Sequence, residues 1–430
     1  MKYNETINYL YNLLPMFQRV GHIAFKKDLT NTRLLCNHLG NPQEKFKSIH
    51  IAGTNGKGST AHTLAAVFQS AGFKTGLYTS PHLKSFTERI RINGMPIGEQ
   101  QVVDFVASNK AIIESVQPSF FEMTVAMAFH EFSRQKVDIA IIEVGMGGRF
   151  DSTNIISPEI SIITNISYDH QDFLGDTLPE IAFEKAGIIK PMVPVIISEL
   201  QAEVAHIFKN KATEVNTKLT FAVEKFKLQN IVYAPVGLTF DVLKNENLLY
   251  PHVEFQLPGQ YQTKNLPGIL CAIDEMVKKG YKIEEANIRE GFKKVKELSG
   301  LRGRWEVLGT SPLTICDTAH NEEGIKQVIA QIKTIDFKKL HIVFGVVKDK
   351  DPSKVLQMMP MEAQYYFTQA SIPRAMEAEA LKNAAEKYGL KGVWVNDVNE
   401  AITLAKNNAT EDDLIFIGGS IFVVAEIEGL

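Results

Sequence analysis

At 430 residues the chain exceeds what one ordinary hydrophobic core organises, and two domains, or three, are expected. Hydrophobic residues make up 45% and charged residues 22%, and the formal net charge of -3 removes any global electrostatic case for binding nucleic acid. Cys36, Cys271 and Cys316 stand far apart without CxxC spacing, which argues against a disulfide framework or structural zinc and for three reduced, mostly buried thiols in a reducing cytoplasm.

The first residues, MKYNETINYLYNLLPMF, place acidic and polar side chains inside an apolar pattern and do not read as a signal peptide. No run approaches the roughly 18 apolar residues of a membrane span, so no membrane partner is expected. Ser48 to Ala52 reads as a strand that ends in a glycine loop, and Ser59 to Ala71 as a helix stopped by Gly72. A short strand follows at Lys74 to Tyr78, then helical patterns over 100–116 and 122–134. Asp138 to Glu143 and Glu159 to Thr164 are compact apolar strands, followed by a helix over 177–189 and a strand over 193–198. Short apolar runs between amphipathic helices are the pattern of parallel strands buried on both faces, so a doubly wound α/β sheet is predicted.

The stretch 218–256 is rich in Val, Phe, Thr and Tyr with little helical period, and is read as an antiparallel flap or small subsheet. Helices resume at 260–279 and 284–297. The glycine-rich, basic segment Leu298 to Arg304 reads as a linker, which sets one domain at 1–298 and a second at 299–430. In the second, Leu313 to Asp317 and Leu340 to Phe344 are strands, 321–335 is a helix with Ile325, Val328, Ile329 and Ile332 on one face, and further βα units end in Leu414 to Ile417 and a helix from Ser420.

The strongest chemical signal is Gly53-Thr54-Asn55-Gly56-Lys57-Gly58-Ser59 between a strand and a helix. A phosphate needs many N–H donors and little bulk, and a glycine loop running into a helix N-terminus supplies both. Lys57 is placed to neutralise phosphate charge and Ser59 to offer a hydroxyl. The spacing departs from the usual G-x-x-x-x-G-K-[ST] loop, because Gly58 separates Lys57 from Ser59 and Gly53 precedes Gly56 by only three positions. Glu143 ends its strand beside this loop, where a carboxylate suits Mg²⁺, though alone it reads equally as a capping or ion-paired glutamate. Asp169-His170 and Thr79-Ser80-Pro81-His82 also follow strands. Alone they are a structural histidine and a turn.

Taken in order, GTNGKGS, TSPHL, EVGMGGRFDSTN, DHQDFLGDTLPEIAFEKAGII, LRGRWE, CDTAHN and IGGS resemble the folate branch of the Mur ligase superfamily over about residues 20 to 425. The resemblance implies a P-loop ATPase domain with a doubly wound, mostly parallel sheet and a smaller, second Rossmann-like α/β domain. It implies an ATP-dependent ligase that joins L-glutamate to a folate or dihydropteroate carboxylate through an acyl phosphate. ATP is then the co-substrate, with one or two Mg²⁺ ions and room for a monovalent cation, in a cytoplasmic monomer. By the same resemblance Gly56, Lys57, Gly58 and Ser59 serve the phosphates, and Ser80, Glu143 and His170 the Mg²⁺. Lys185 matches a lysine that is often carbamylated and then binds a second ion; the alternative is a helix lysine paired with acidic neighbours. Asn265, Arg304 and Asp317 match ATP contacts, with Arg304 expected to reach the phosphates from the linker. Their alternatives are a helix cap, a linker salt bridge and a strand-end cap. His320 and Ser420 resemble positions near the incoming glutamate. Phe120, Phe121, Glu122 and Phe150 resemble a pterin pocket, since a flat ring suits aromatic walls and one carboxylate, although aromatics there serve a core equally well.

Two departures stand out: Tyr261-Gln-Thr-Lys264 replaces small residues ahead of Asn265, and 218–256 follows no family pattern. A P-loop NTPase without ligase activity would carry a regular GK[ST] loop and have no need of CDTAHN. A cell-wall Mur ligase, the other alternative, would carry GTNGKT[TS] and a uridine-binding domain ahead of it.

Overall fold

The structure is a computed structural model that describes residues 2–15, 28–348 and 351–430. Met1, Met16 and Phe17 of the first stretch, and residues 20–27 of the family resemblance, lie outside the described residues. The chain divides into two compact units, Met1–Val232 with Thr239–Gln256 and Gln262–Leu301, and Tyr233–Leu238 with Leu257–Tyr261 and Arg302–Leu430.

The first unit carries β1 (Ser48–Ala52), β2 (Thr75–Tyr78), β3 (Ile90–Ile92), β4 (Met95–Pro96), β5 (Ile139–Glu143), β6 (Ile160–Ile163), β7 (Val195–Ile197) and β8 (Leu219–Phe221). They form one sheet in the order β4-β3-β2-β5-β1-β6-β7-β8. Strands β2, β5, β1, β6, β7 and β8 run parallel. Every residue of β1, β2, β5, β6 and β7 is buried, because helices cover both faces. The order runs from β1 outward to β2, back to β5, then across to β6. That reversal opens a crevice at the carboxyl ends of β5, β1 and β6, where α/β sheets hold ligands.

The helix Lys57–Ser70 is buried along almost its whole length, from Ser59 to Phe68. It meets the helix Glu285–Lys293 so closely that a Cβ on Gly291 would lie 2.7 Å from the Val67 Cα.

The structure corrects the sequence reading of the first unit in three places. Leu219–Phe221 is not part of a separate subsheet but pairs in parallel with β7. The subsheet is narrower: β9 (Phe226–Ala234), β10 (Gly237–Lys244) and β11 (Asn247–Phe255), joined by tight turns. The β10–β11 turn has Asn245 and Glu246 at φ 50° and 66°, the left-handed pair that matches strand twist. The antiparallel β3 and β4 on the first sheet's edge were not foreseen, since runs of three and two residues are too short for periodicity to show.

The second unit contains β12 (Glu306–Thr310), β13 (Leu313–Cys316), β14 (Leu340–Phe344), β15 (Gln364–Phe367), β16 (Gly392–Trp394) and β17 (Leu414–Gly418), in the order β12-β13-β17-β14-β15-β16. All pair in parallel except β12, an unforeseen antiparallel edge directly after the linker. The helix Glu322–Ile332 buries Ile325, Val328, Ile329 and Ile332 against this sheet, as its spacing predicts. The three cysteines are buried and none forms a disulfide. Among the described residues no helix is long and apolar enough to cross a membrane.

Candidate active site

At the carboxyl ends of β1 and β6, the loop after β1 is fastened to the segment after β6. Thr54 N–H donates to the Asn165 carbonyl at 2.9 Å, and Asn55 N–H to the Asn165 side-chain oxygen at 2.9 Å. The Thr164 hydroxyl donates to the Asn55 carbonyl at 2.5 Å. Gly53 (φ 143°) and Gly56 (φ 84°) adopt the backbone that lets the loop curl. Neither position has room for a side chain, since a Cβ on Gly53 would fall 1.8 Å from the Thr164 hydroxyl and one on Gly56 2.2 Å from Asn265 Oδ1. Gly58 and Ser59 lie in the first turn of the helix that follows, and Ser59 is buried.

Two lysines converge on this loop. Lys57 Nζ donates to the carbonyls of Gly53 and Thr54, both at 3.0 Å. Lys185 Nζ, on the helix Leu178–Ala186, donates to the same Gly53 carbonyl at 2.9 Å. Lys185 is only 4% exposed. Burial first, and the neighbouring Lys57 charge second, push its pKa down to about 7, with Asp169 and Asp151 opposing. The sequence alternative, a lysine paired with acidic neighbours, is not what its nearest hydrogen bond shows.

Glu143 ends β5 buried, and its Oε2 accepts from the Ser80 backbone N–H at 3.1 Å. This contact brings the β2 and β5 strand ends together. Nearby, Arg89 is buried with its guanidinium 5.5 Å from the centre of the Phe120 ring, and its Nε donates to His82 Nδ1 at 2.8 Å. Burial and Arg89 push the His82 pKa down to about 3, so the ring is a neutral acceptor. His170 sits at φ 51° at the start of the short helix Gln171–Leu174, its Nε2 3.9 Å from Asp169 Oδ2. Among the described residues no three His, Cys, Asp or Glu side chains surround a common point. The donor set of Glu143 carboxylate and Ser80 hydroxyl nevertheless suits Mg²⁺, which usually takes one or two protein oxygens and completes its shell from phosphate and water.

Asp151 organises the glycine-rich loop after β5. Its Oδ2 accepts from Met146 N–H at 2.9 Å, and its Oδ1 from the Thr153 N–H at 2.9 Å and hydroxyl at 2.5 Å. The sequence reading quoted this residue inside a motif but did not single it out. An Asp two residues before a Thr is a turn signal that flags it.

Of the proposed pterin-pocket residues, Phe120 belongs to the hydrophobic core, tilted against Tyr11 at 5.4 Å and edge-on to Phe86 at 5.6 Å. Phe121 is partly buried, 6.2 Å from the Tyr78 ring and against Gly145. Phe150 lies 4.4 Å beneath the Arg149 guanidinium, which also pairs with Glu184 at 2.6 Å. Glu122 is the third residue of the helix Phe120–Gln135, and its Oε2 closes a capping box by accepting from Ser119 N–H at 2.6 Å. Its Oε1 is buried with no hydrogen-bond partner among the described residues.

In the second unit Asp317 follows β13, buried, and its carboxylate is largely committed. Oδ2 accepts from the Tyr261 hydroxyl at 2.8 Å and the Trp305 N–H at 2.7 Å, and Oδ1 from Ala319 N–H at 2.8 Å. Burial raises its pKa while Arg304 lowers it. Arg304 bonds to the Thr318 hydroxyl and to the Gly303 carbonyl. The sequence alternative of a strand-end cap therefore describes much of what Asp317 does. His320 Nδ1 lies 3.1 Å from the Thr318 carbonyl. Ser420 caps the helix Ile421–Glu426 by accepting from Phe422 N–H at 3.0 Å. The loops after β13 and β17 are neighbours, since Cys316 pairs with Ile417.

Comparison with known proteins identifies the family of both units. Residues 51–273 match the Mur ligase middle domain, and residues 303–421 match the Mur ligase glutamate ligase domain. The dihydrofolate synthase/folylpolyglutamate synthase of Bacillus subtilis (strain 168) is 32% identical over 95% of this chain and 96% of its own length. The Mycobacterium tuberculosis folylpolyglutamate synthase complexed with ADP superposes with a TM-score of 0.89 at 29% identity, covering 98% of this chain and 96% of that one. Escherichia coli FolC in complex with DHPP and ADP gives 0.86 at 27%, covering 99% and 96%.

Proposed function

The chain belongs to the folylpolyglutamate synthase/dihydrofolate synthase family of Mur ligases, and from that premise we propose how its own residues carry out the reaction. The enzyme is an ATP-dependent ligase that attaches L-glutamate to a folate-type carboxylate. A carboxylate is a poor electrophile, so its oxygen first attacks the γ-phosphate of ATP, expelling ADP and forming an acyl phosphate. The glutamate amine then attacks the acyl carbon, loses a proton, and inorganic phosphate departs with the original carboxylate oxygen. Positioning and charge neutralisation supply most of the rate.

Residues 1–298 handle the nucleotide and 299–430 the glutamate. The backbone amides of the Gly53–Ser59 loop cradle the phosphates, and Lys57 leaves its carbonyls for the transferring phosphoryl group. Asn265 and Asp317 contact the nucleotide as well, and Arg304 reaches its phosphates from the linker. Glu143, Ser80 and His170 would hold Mg²⁺, which would neutralise phosphate charge. Lys185, with its lowered pKa, exists partly as the free amine that carbon dioxide requires. Adding CO₂ to the neutral Nζ with loss of one proton would give a carbamate anion suited to a second ion. Phe121 and Phe150 border the pterin ring, Phe120 backs them from the core, and Glu122 Oε1, which has no partner among the described residues, accepts from it. His320 and Ser420 face the amino acid. The enzyme works as a cytoplasmic monomer, and its three buried cysteines, none in a disulfide, are in keeping with a reducing compartment.

The observation that carries this reading is the convergence of Lys57 and Lys185 on the Gly53 carbonyl, in a loop beside the Ser80–Glu143 contact. A phosphate-release assay with ATP, Mg²⁺ and L-glutamate, offering dihydropteroate and tetrahydrofolate separately, tests it. Glutamate-dependent release on both acceptors is expected; none on either would overturn it.

A further inference from the structure

Gln262 opens the helix Gln262–Lys278 and is completely buried. A primary amide with no access to water must find partners for both its ends, or its burial is costly. Both ends of Gln262 are used on residues of the phosphate loop and its wall. Its Nε2 donates to Ser59 Oγ at 3.1 Å, and its Oε1 accepts from Asn265 Nδ2 at 2.8 Å. Asn265 in turn stands over Gly56, close enough that no side chain fits there. One side chain thus joins the first turn of the helix Lys57–Ser70 to the residue that covers the loop's second glycine.

The polarity of this chain of bonds matters. A hydroxyl has one donor and two acceptor sites. Because the Gln262 amide donates into Ser59 Oγ, the Ser59 proton is directed elsewhere and remains available to give. Phosphate oxygens only accept, so a serine held as a donor is what a bound triphosphate requires. We propose that Gln262 is a positioning residue of the nucleotide site, acting through Ser59: anchored by Asn265 at its other end, it fixes the Ser59 hydroxyl with its proton toward the phosphates. The proposal rests on the nucleotide reading of the Gly53–Ser59 loop. It also gives a role to the Tyr261–Lys264 segment, which the family pattern left unexplained.

A purely structural joint between two helices would weaken folding without coupling to one hydroxyl, and a double-mutant cycle separates the two. Binding of the non-hydrolysable adenosine β,γ-methylene triphosphate with Mg²⁺ is measured calorimetrically on the full chain, for wild type, Gln262→Met, Ser59→Ala and the double variant. Each single change is expected to weaken binding about tenfold, the loss of one oriented hydrogen bond, and the double variant to bind no more weakly than Ser59→Ala. An unchanged affinity in Gln262→Met, or losses that multiply in the double variant, would overturn the proposal. Gln262→Glu, of equal length but accepting at both oxygens, keeps the helices joined if methionine does not. It draws the Ser59 proton inward, and its loss must likewise vanish in the Ser59→Ala background. A wild-type chain that binds no triphosphate would overturn the nucleotide-site reading itself, and this inference with it.

Discussion

The ammonium groups of Lys57 and Lys185 share one acceptor, the Gly53 carbonyl oxygen, at 3.0 and 2.9 Å. Two cations on one oxygen is an arrangement that water would relieve and burial does not. It holds because the fold fixes both stems, one at the start of the helix after the loop and one in the helix Leu178–Ala186. The consequence is a lysine that gives up its proton near neutrality.

That shift has a sign for stability. An unfolded lysine titrates near about 10.4, whereas folded Lys185 titrates near 7. Between those values the unfolded chain binds a proton that the folded chain lacks, so stability rises with pH across the window and is lowest below about 7. Lys185→Met removes the penalty. It should raise the melting temperature by about 3–6 °C at about pH 6, with the gain shrinking towards about pH 10, while ligase turnover is lost. Melting curves at both pH values check this; an equal gain at each would contradict the titration.

Gly56→Ala should be the most damaging small change in the loop. It places a side chain at φ 84° and 2.2 Å from Asn265 Oδ1. A cost of about 1–3 kcal/mol in stability and a loss of nucleotide affinity of about 100-fold or more are expected. Adding Asn265→Ala relieves the clash but not the backbone, so stability should return in part and affinity should not. Chemical denaturation and calorimetry measure the two separately.

Glu122 divides its two oxygens between jobs. Oε2 closes the capping box, and Oε1 is buried without a partner among the described residues. Glu122→Gln retains a capping side chain, so stability should stay within about 0.5 kcal/mol while the KM for the pterin substrate rises about tenfold. Glu122→Ala should lose the cap as well, at about 1–2 kcal/mol. Steady-state kinetics alongside denaturation would expose a purely structural glutamate, whose KM would not move in Glu122→Gln.

Asp317→Ala strips the acceptor from the Tyr261 hydroxyl and from two backbone N–H groups. Because the Trp305 N–H is buried and the other two donors partly so, about 2–4 kcal/mol of stability should be lost. Tyr261→Phe, which removes one of the three bonds, should cost about 1 kcal/mol. Denaturant titration of the two variants gives the comparison.

How far the sequence reached follows from which interactions are local. The loop, Glu143 and the flanking parallel strands were legible because each is a short run with its own signature: glycines before a helix, or a fully apolar strand. The helix over Glu322–Ile332 was legible from its apolar stripe. Gln262 was not, because its meaning lies in partners at Ser59 and Asn265, and a glutamine at a helix start carries no signal of burial. The committed acceptors of Asp317 and the core position of Phe120 were hidden for the same reason: tertiary packing, not pattern, decides them. The edge strands β3, β4 and β12 were missed because pairing to a neighbour makes them strands.

The central claim is that ATP phosphorylates the acceptor's own carboxylate. Tetrahydrofolate or dihydropteroate labelled with ¹⁸O in the reacting carboxylate, incubated with ATP, Mg²⁺ and L-glutamate, tests it through the mass of the released phosphate. One ¹⁸O atom should pass from the acid to each phosphate in the wild-type chain, and Lys57→Ala should release none above background. Phosphate released at the full rate without label would mean that water, not the acid, attacks ATP, and would contradict the mechanism.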